Sequence, residues 1–213
     1  MKLDRAQLLL YAVTDRAWLG GQTLAHQVEL ALGGGATCLQ LREKELGEED
    51  LLREALALRP ICRRYGVPLI INDSVEVLLA SGADGVHIGQ KDGDVAAIRQ
   101  RIGPEKILGV SAHNVEEALA AQAAGADYLG AGAVFATGTK PEAGSLPYET
   151  LQAICRTVDI PVVAIGGISR ENVSRLAGSG ASGVAVVSAV FAAADIQQAT
   201  KELKAQVQET LAR

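Results

Sequence analysis

Four times along the chain a Gly-Ala pair stands directly before a short run of β-branched or leucine residues. The pairs are Gly35-Ala36, Gly82-Ala83, Gly125-Ala126 and Gly180-Ala181, at intervals of 47, 43 and 55 residues. A glycine just past a helix ends it by taking a left-handed backbone that other residues resist, so each pair reads as a turn from helix into strand. Intervals of that size hold two βα units apiece. Strand candidates occur at Leu8–Val13, Cys38–Leu41, Leu69–Ile71, Gly85–Ile88, Ile107–Val110, Tyr128–Ala131, Val162–Ile165 and Gly183–Val187. Helical patterns lie between them, among them Leu24–Leu32, Glu48–Tyr65, Val115–Ala124 and Ile196–Leu211. The last two open with Asn114-x-x-Glu117 and Asp195-x-x-Gln198, both capping-box spacings. Eight such units predict an α/β fold, a single-domain (β/α)8 TIM barrel over residues 1–213; a doubly wound sheet is the competing architecture.

Composition agrees and narrows the function. Hydrophobic residues make up 48%, aromatics only 3%, and 23 residues are glycine, which suits a Val/Ile/Leu-rich parallel sheet with tight turns. The 20 basic residues are outnumbered by 25 acidic ones. With no basic block, neither a nucleic acid nor an anionic membrane is an expected partner. The longest apolar stretch, Gly183–Ala194, falls short of the ~20 residues a membrane span needs. The N-terminal run Leu8–Val13 stops at Asp15-Arg16 without a signal-peptide pattern. Cys38, Cys62 and Cys155 are far apart and include no C-x-x-C, against a disulfide scaffold or cysteine zinc site. The expectation is a soluble cytoplasmic protein acting on small molecules; no pattern specifies an oligomeric state.

In a barrel of this kind, function sits at the carboxyl ends of the strands. Gly166-Gly167 after the seventh strand and Val187-Ser188 after the eighth can offer backbone N–H groups to a phosphate; the competing reading is a tight turn with Ser169 capping the next helix. Arg42 and Lys44, at alternating positions past the second strand, suit a further anion such as a diphosphate, or form a solvated charged rim with Glu43. Asp73 and Asp92 lie at neighbouring strand ends and can share Mg²⁺, which takes one or two carboxylates and fills its shell with water and phosphate oxygens. Each also has a local role open to it, in a helix start or a turn. Thr137-Gly138-Thr139-Lys140 reads as a substrate-covering or simply a surface loop. His26 and His87 read as structural, and His113 as a candidate ligand contact.

Taken together, Tyr11–Arg16, Gln40–Lys44, Ile71–Asp73, Val86–Asp92, Gly109–His113, Val134–Lys140, Ala164–Ile168 and Val186–Ser188 resemble thiamine-phosphate synthase, in order and from about Leu8 to Phe191. The resemblance implies an Mg²⁺-dependent transferase of thiamine biosynthesis. It joins an aminomethylpyrimidine diphosphate to a thiazole phosphate, or its carboxylated form, and releases pyrophosphate. It further implies that Gln40, Leu41, Arg42, Glu43, Lys44, Asn72, Ser111 and Lys140 hold the pyrimidine diphosphate, with Arg42, Lys44, Ser111 and Lys140 serving catalysis. Mg²⁺ would sit on Asp73 and Asp92. Thr137, Gly138, Thr139, Gly167, Val187 and Ser188 would hold the thiazole phosphate. Ala136, where the family commonly has proline, Lys91, where it has an acidic or small polar residue, and Asn114 in place of threonine depart from the pattern. The alternatives are a thiazole tautomerase and a non-catalytic barrel that binds thiamine intermediates.

Overall fold

The computed structural model describes residues 3–137 and 145–212. Eight parallel strands, β1 (Leu10–Val13), β2 (Cys38–Leu41), β3 (Leu69–Asn72), β4 (Gly85–Ile88), β5 (Ile107–Ala112), β6 (Tyr128–Gly132), β7 (Val162–Ile165) and β8 (Gly183–Val186), pair in chain order. β8 returns to β1 and closes the barrel. Around it lie α1 (Leu24–Gly33), α2 (Glu48–Tyr65), α3 (Val75–Ser81), α4 (Val95–Ile102), α5 (Val115–Ala123), α6 (Tyr148–Thr157), the short α7 (Ser188–Phe191) and α8 (Ile196–Leu211). No helix among the described residues is long and apolar enough to cross a membrane.

The glycine–alanine repeat does two jobs. All four glycines take positive φ, from +64° to +101°, which frees the chain to turn from helix into strand. The residue after each pair then reaches back to the strand before it. Thr37 Oγ1 accepts from the Leu10 N–H at 2.9 Å, Asp84 from Leu69 at 2.9 Å and Asp127 from Leu108 at 2.8 Å. The repeat therefore satisfies backbone donors at the amino end of the barrel, leaving the opposite mouth for function.

Helix α2 forms where expected because its ends are electrostatically matched. Glu48, Glu49 and Asp50 occupy its first turn, Arg63 and Arg64 its last, and Gly66 ends it at φ +67°, complementing the helix dipole at both ends. Several bounds differ from expectation, and β3, β5 and β6 run on to Asn72, Ala112 and Gly132. Leu8 belongs to a 3-10 turn, Arg5–Leu8, because Asp4 and Gln7 cap it reciprocally before the ladder begins. The connection after β7 holds only the 3-10 turn Val173–Leu176, and Val187 leaves β8 to cap α7.

Every strand is buried on both faces, and alternate residues go to two cores. Outward-facing Leu39, Leu41, Leu69, Ile71, Val110 and Leu129 pack beneath the helices. Inward-facing Tyr11, Val13, Cys38, Ile70, Ile107, Tyr128, Val163 and Ala185 fill the barrel.

Candidate active site

The inward row continues towards the carboxyl ends of the strands as a polar pocket lined by Gln40, Asn72, His87 and Ser111 above Tyr11 and Tyr128. Its floor is a chain of hydrogen bonds. Gln40 Nε2 donates to Tyr11 Oη at 2.9 Å. The Tyr11 and Tyr128 hydroxyls lie 2.9 Å apart. His87 Nδ1 lies 3.0 Å from Tyr128 Oη and its Nε2 3.1 Å from Ser111 Oγ. Glycines make room for these rings: a Cβ on Gly109 would stand 2.2 Å from Tyr128 Cζ and 2.5 Å from His87 Nδ1. Tyr11, Tyr128 and His87 were not legible from strand-end residues alone, and His87, read as structural, lines the pocket. Their signal was the two-residue period, which puts them on the same face as Gln40, Asn72 and Ser111.

Past β2, Arg42 lines this pocket, while Lys44 lines an outer cleft with Asn72, Asp73 and Asp92. Leu41 is fully buried beneath the helices and does not line the pocket. Glu43 is also buried. Its carboxylate accepts from Thr14 Oγ1 at 2.8 Å and lies 3.1 Å from Arg16 Nε, which in turn pairs with Glu54. Burial pushes the Glu43 carboxyl up, against the opposing pull of Thr14 and Arg16. Thr14 Oγ1 also accepts from the Arg42 N–H at 3.0 Å, so the Arg42-to-Lys44 turn is clamped from behind.

Asp73 follows β3 at φ +62°, the only non-glycine residue among those described with positive φ. Its N–H is donated to the His87 carbonyl at 2.9 Å, which ties it to the end of β4. Asp92 accepts from the Gly89 N–H at 2.7 Å. Burial first, then the neighbouring Asp92 carboxylate, push Asp73 up to about 6. Two carboxylates this close repel each other, and a hard divalent cation between them relieves that repulsion. Among the described residues no group of three or more His, Cys, Asp or Glu could hold a metal, so the donor set fits a cation that draws its remaining ligands from water and phosphate oxygens.

Across the mouth, Gly166 and Gly167 take φ of +105° and +61°. The root of the β6 loop is hydrogen-bonded to this turn: Val134 N–H donates to the Ile165 carbonyl at 2.9 Å and Phe135 N–H to Gly166 at 3.1 Å. Thr137, Val187 and Ser188 line the same pocket. Ser169 caps no α-helix; its Oγ accepts from the Glu171 N–H at 3.3 Å. Gly138, Thr139 and Lys140 lie outside the described residues. His113 reaches the pocket wall and pairs with Glu117 at 2.8 Å.

Fold and pocket together define a single-domain TIM barrel with a polar pocket at the carboxyl ends of its strands. The chain belongs to the thiamine monophosphate synthase family, whose model matches residues 10–190. It is 51% identical over 202 residues to a thiamine-phosphate synthase of Chloroflexus aurantiacus, covering 94% of this chain and 93% of that one. It is 49% identical over 194 residues to that of Ruminiclostridium cellulolyticum, with 91% and 92% covered. A solved thiamine phosphate pyrophosphorylase from Pyrococcus furiosus superposes with a TM-score of 0.89 at 40% identity, over 97% of this chain and 98% of that one. A 3-hexulose-6-phosphate synthase, at 17% identity and a TM-score of 0.65 over 93% of this chain and 99% of that one, shares the fold. The activity is that of a transferase in thiamine biosynthesis, forming thiamine phosphate.

Proposed function

We propose that the barrel mouth joins an aminomethylpyrimidine diphosphate to a thiazole phosphate, giving thiamine monophosphate and pyrophosphate. One observation carries the assignment of sides. Lys44 and the carboxylates Asp73 and Asp92 line one cleft past β2 to β4, with Arg42 near enough to act on the Asp73 charge, while the glycine turn of Gly166-Gly167 and Val187-Ser188 line the central pocket. The first group suits a diphosphate with its cation, the second a single phosphate held by backbone N–H groups.

Gln40, Asn72 and Ser111 orient the pyrimidine, with the backbone of Leu41 beside them. Glu43 acts from behind by holding the turn that presents Arg42 and Lys44. These two cations stabilise the negative charge that grows on the departing pyrophosphate. The positive charge left on the methylene is delocalised into the electron-rich aminopyrimidine. The thiazole nitrogen is itself the nucleophile, so the protein's task is alignment rather than proton abstraction. Mg²⁺, when held by Asp73 and Asp92, supplies Lewis-acid stabilisation of the leaving group. Thr137, Gly167, Val187 and Ser188 fix the thiazole phosphate, and the expected contributions of Gly138, Thr139 and Lys140 come from the segment that follows Thr137. A cytoplasmic setting belongs with this reading, supported by three cysteines that form no disulfide.

The test is a discontinuous assay with both substrates, with and without Mg²⁺, following thiamine phosphate and pyrophosphate. Equal, Mg²⁺-dependent release of both is expected. Folded protein that yields neither product would replace this function with thiazole isomerisation or ligand binding alone.

A further inference from the structure

Gln40 and Ser111, on β2 and β5, are joined through the barrel by three side chains that the proposed chemistry leaves without a role: Tyr11, Tyr128 and His87. Counting hydrogens along the chain constrains it. A tyrosine hydroxyl has one hydrogen to give. Tyr11 Oη receives the Gln40 amide N–H, and in the arrangement that runs through the barrel its own hydrogen goes to Tyr128. That of Tyr128 goes to His87 Nδ1. A neutral imidazole accepting at Nδ1 carries its hydrogen on Nε2 and donates it to Ser111 Oγ. The Ser111 hydroxyl then turns its own hydrogen towards the pocket, and Gln40 offers its carbonyl oxygen beside its second N–H.

If the Gln40 amide turns over, every link reverses: Gln40 presents N–H, and Ser111 presents a lone pair. In the first arrangement Ser111 offers its O–H and Gln40 its carbonyl with one N–H; in the second Gln40 offers only N–H and Ser111 only lone pairs. We infer that Tyr11, Tyr128 and His87 are positioning residues, a hydrogen-bond relay that couples the amide orientation of Gln40 to the hydroxyl orientation of Ser111 and so sets together the donors and acceptors the two turn to the ligand. This rests on the proposed function, in which the ligand is an aminopyrimidine with an amine donor and ring-nitrogen acceptors. Burial holds both tyrosine hydroxyls well above their ordinary range, so they stay protonated and each keeps its one hydrogen.

The relay is read without substrate from the imidazole ¹⁵N spectrum of labelled protein at pH 8, with the His87 signal assigned by its loss in His87→Gln. The wild type is expected to hold one tautomer, with the hydrogen on Nε2. In Gln40→Glu the carboxylate only accepts, so every link reverses and the hydrogen moves to Nδ1. In the double variant Gln40→Glu/Tyr11→Phe the link is cut and that response is lost. An unchanged tautomer in Gln40→Glu, or a response that survives in the double variant, overturns the inference. In turnover, Tyr128→Phe should raise KM for the pyrimidine diphosphate about tenfold, the scale of one hydrogen bond, with KM for the thiazole phosphate unchanged; equal KM values for the pyrimidine also overturn it. A wild type that makes no product defeats the proposed function instead, and the tautomer result still decides whether the relay exists.

Discussion

The carboxylate of Glu43 lies 2.8 Å from the hydroxyl of Thr14, so the one acidic residue in the Arg42-to-Lys44 run is folded back into the protein. The same hydroxyl accepts the Arg42 N–H. Replacing Thr14 with valine keeps the shape and strands both partners. The expected cost is about 1–3 kcal/mol, as for buried polar groups left unpaired, together with a raised KM for the pyrimidine diphosphate. Urea unfolding and steady-state kinetics measure the two effects; a variant with wild-type values for both would deny the clamp.

Asp92→Ala removes one of two carboxylates that face each other past β3 and β4. Turnover should fall by roughly 10²-fold or more, the scale for losing a main electrostatic stabiliser, and the response to added Mg²⁺ should weaken. A Mg²⁺ titration with the same half-saturation as wild type would remove Asp92 from the cation site.

Glu117 gives a pH signature outside that site. Burial alone would raise its carboxyl, but the backbone N–H and imidazole of His113 outweigh burial and hold it below its usual value of 4.5. Because the folded state binds the proton less readily than the unfolded chain, the stabilisation is present above that value and is lost as pH falls through the folded pKa. The unfolding free energies of wild type and Glu117→Gln should therefore differ at about pH 6 and converge by about pH 3. Urea melts across that range test this, and a gap independent of pH would contradict it.

Gly109 faces the barrel interior, where a methyl group would meet the Tyr128 ring at 2.2 Å. Gly109→Ala is expected to cost about 1–3 kcal/mol through overpacking. Gly47, with nothing within 4 Å of its would-be Cβ, should accept alanine with little change. Denaturant midpoints of the two variants make the comparison, and equal midpoints would mean that the floor repacks freely.

Gly167→Val strains a backbone at φ +61° and sets a Cβ 2.3 Å from the Ala136 carbonyl. The root of the β6 loop must then move. KM for the thiazole phosphate is expected to rise by an order of magnitude or more while that for the pyrimidine diphosphate changes little; losing about 1.4 kcal/mol of binding is tenfold. Parallel increases in both would place Gly167 outside a thiazole-specific subsite.

Much of this was legible in the chain because its signals are local. β2, β4, β7 and α2 run over the residues expected, since β-branched runs, Gly-Ala turns and matched helix ends are each written within a few positions. The Leu8 end of the first strand was not, because the Asp4–Gln7 capping box competes with the ladder there. Ser169 misled as a helix cap because the segment after β7 condenses to a single 3-10 turn. At the mouth, strand-end residues pointed to Arg42, Asp73, Asp92 and Gly167, which line its two clefts. They missed Tyr11, Tyr128 and His87, which reach the pocket from within the strands, and they read Glu43 as part of a solvated rim although its carboxylate is buried against Thr14, just past β1. Partners 29 positions apart along the chain leave no mark in a local pattern.

The tyrosine pair beneath the pocket has a bearing on traffic. Tyr11 and Tyr128, with Cys38, Ile70 and Val163 around them, close the barrel from below, so every molecule that reaches the floor must come and go through the one mouth.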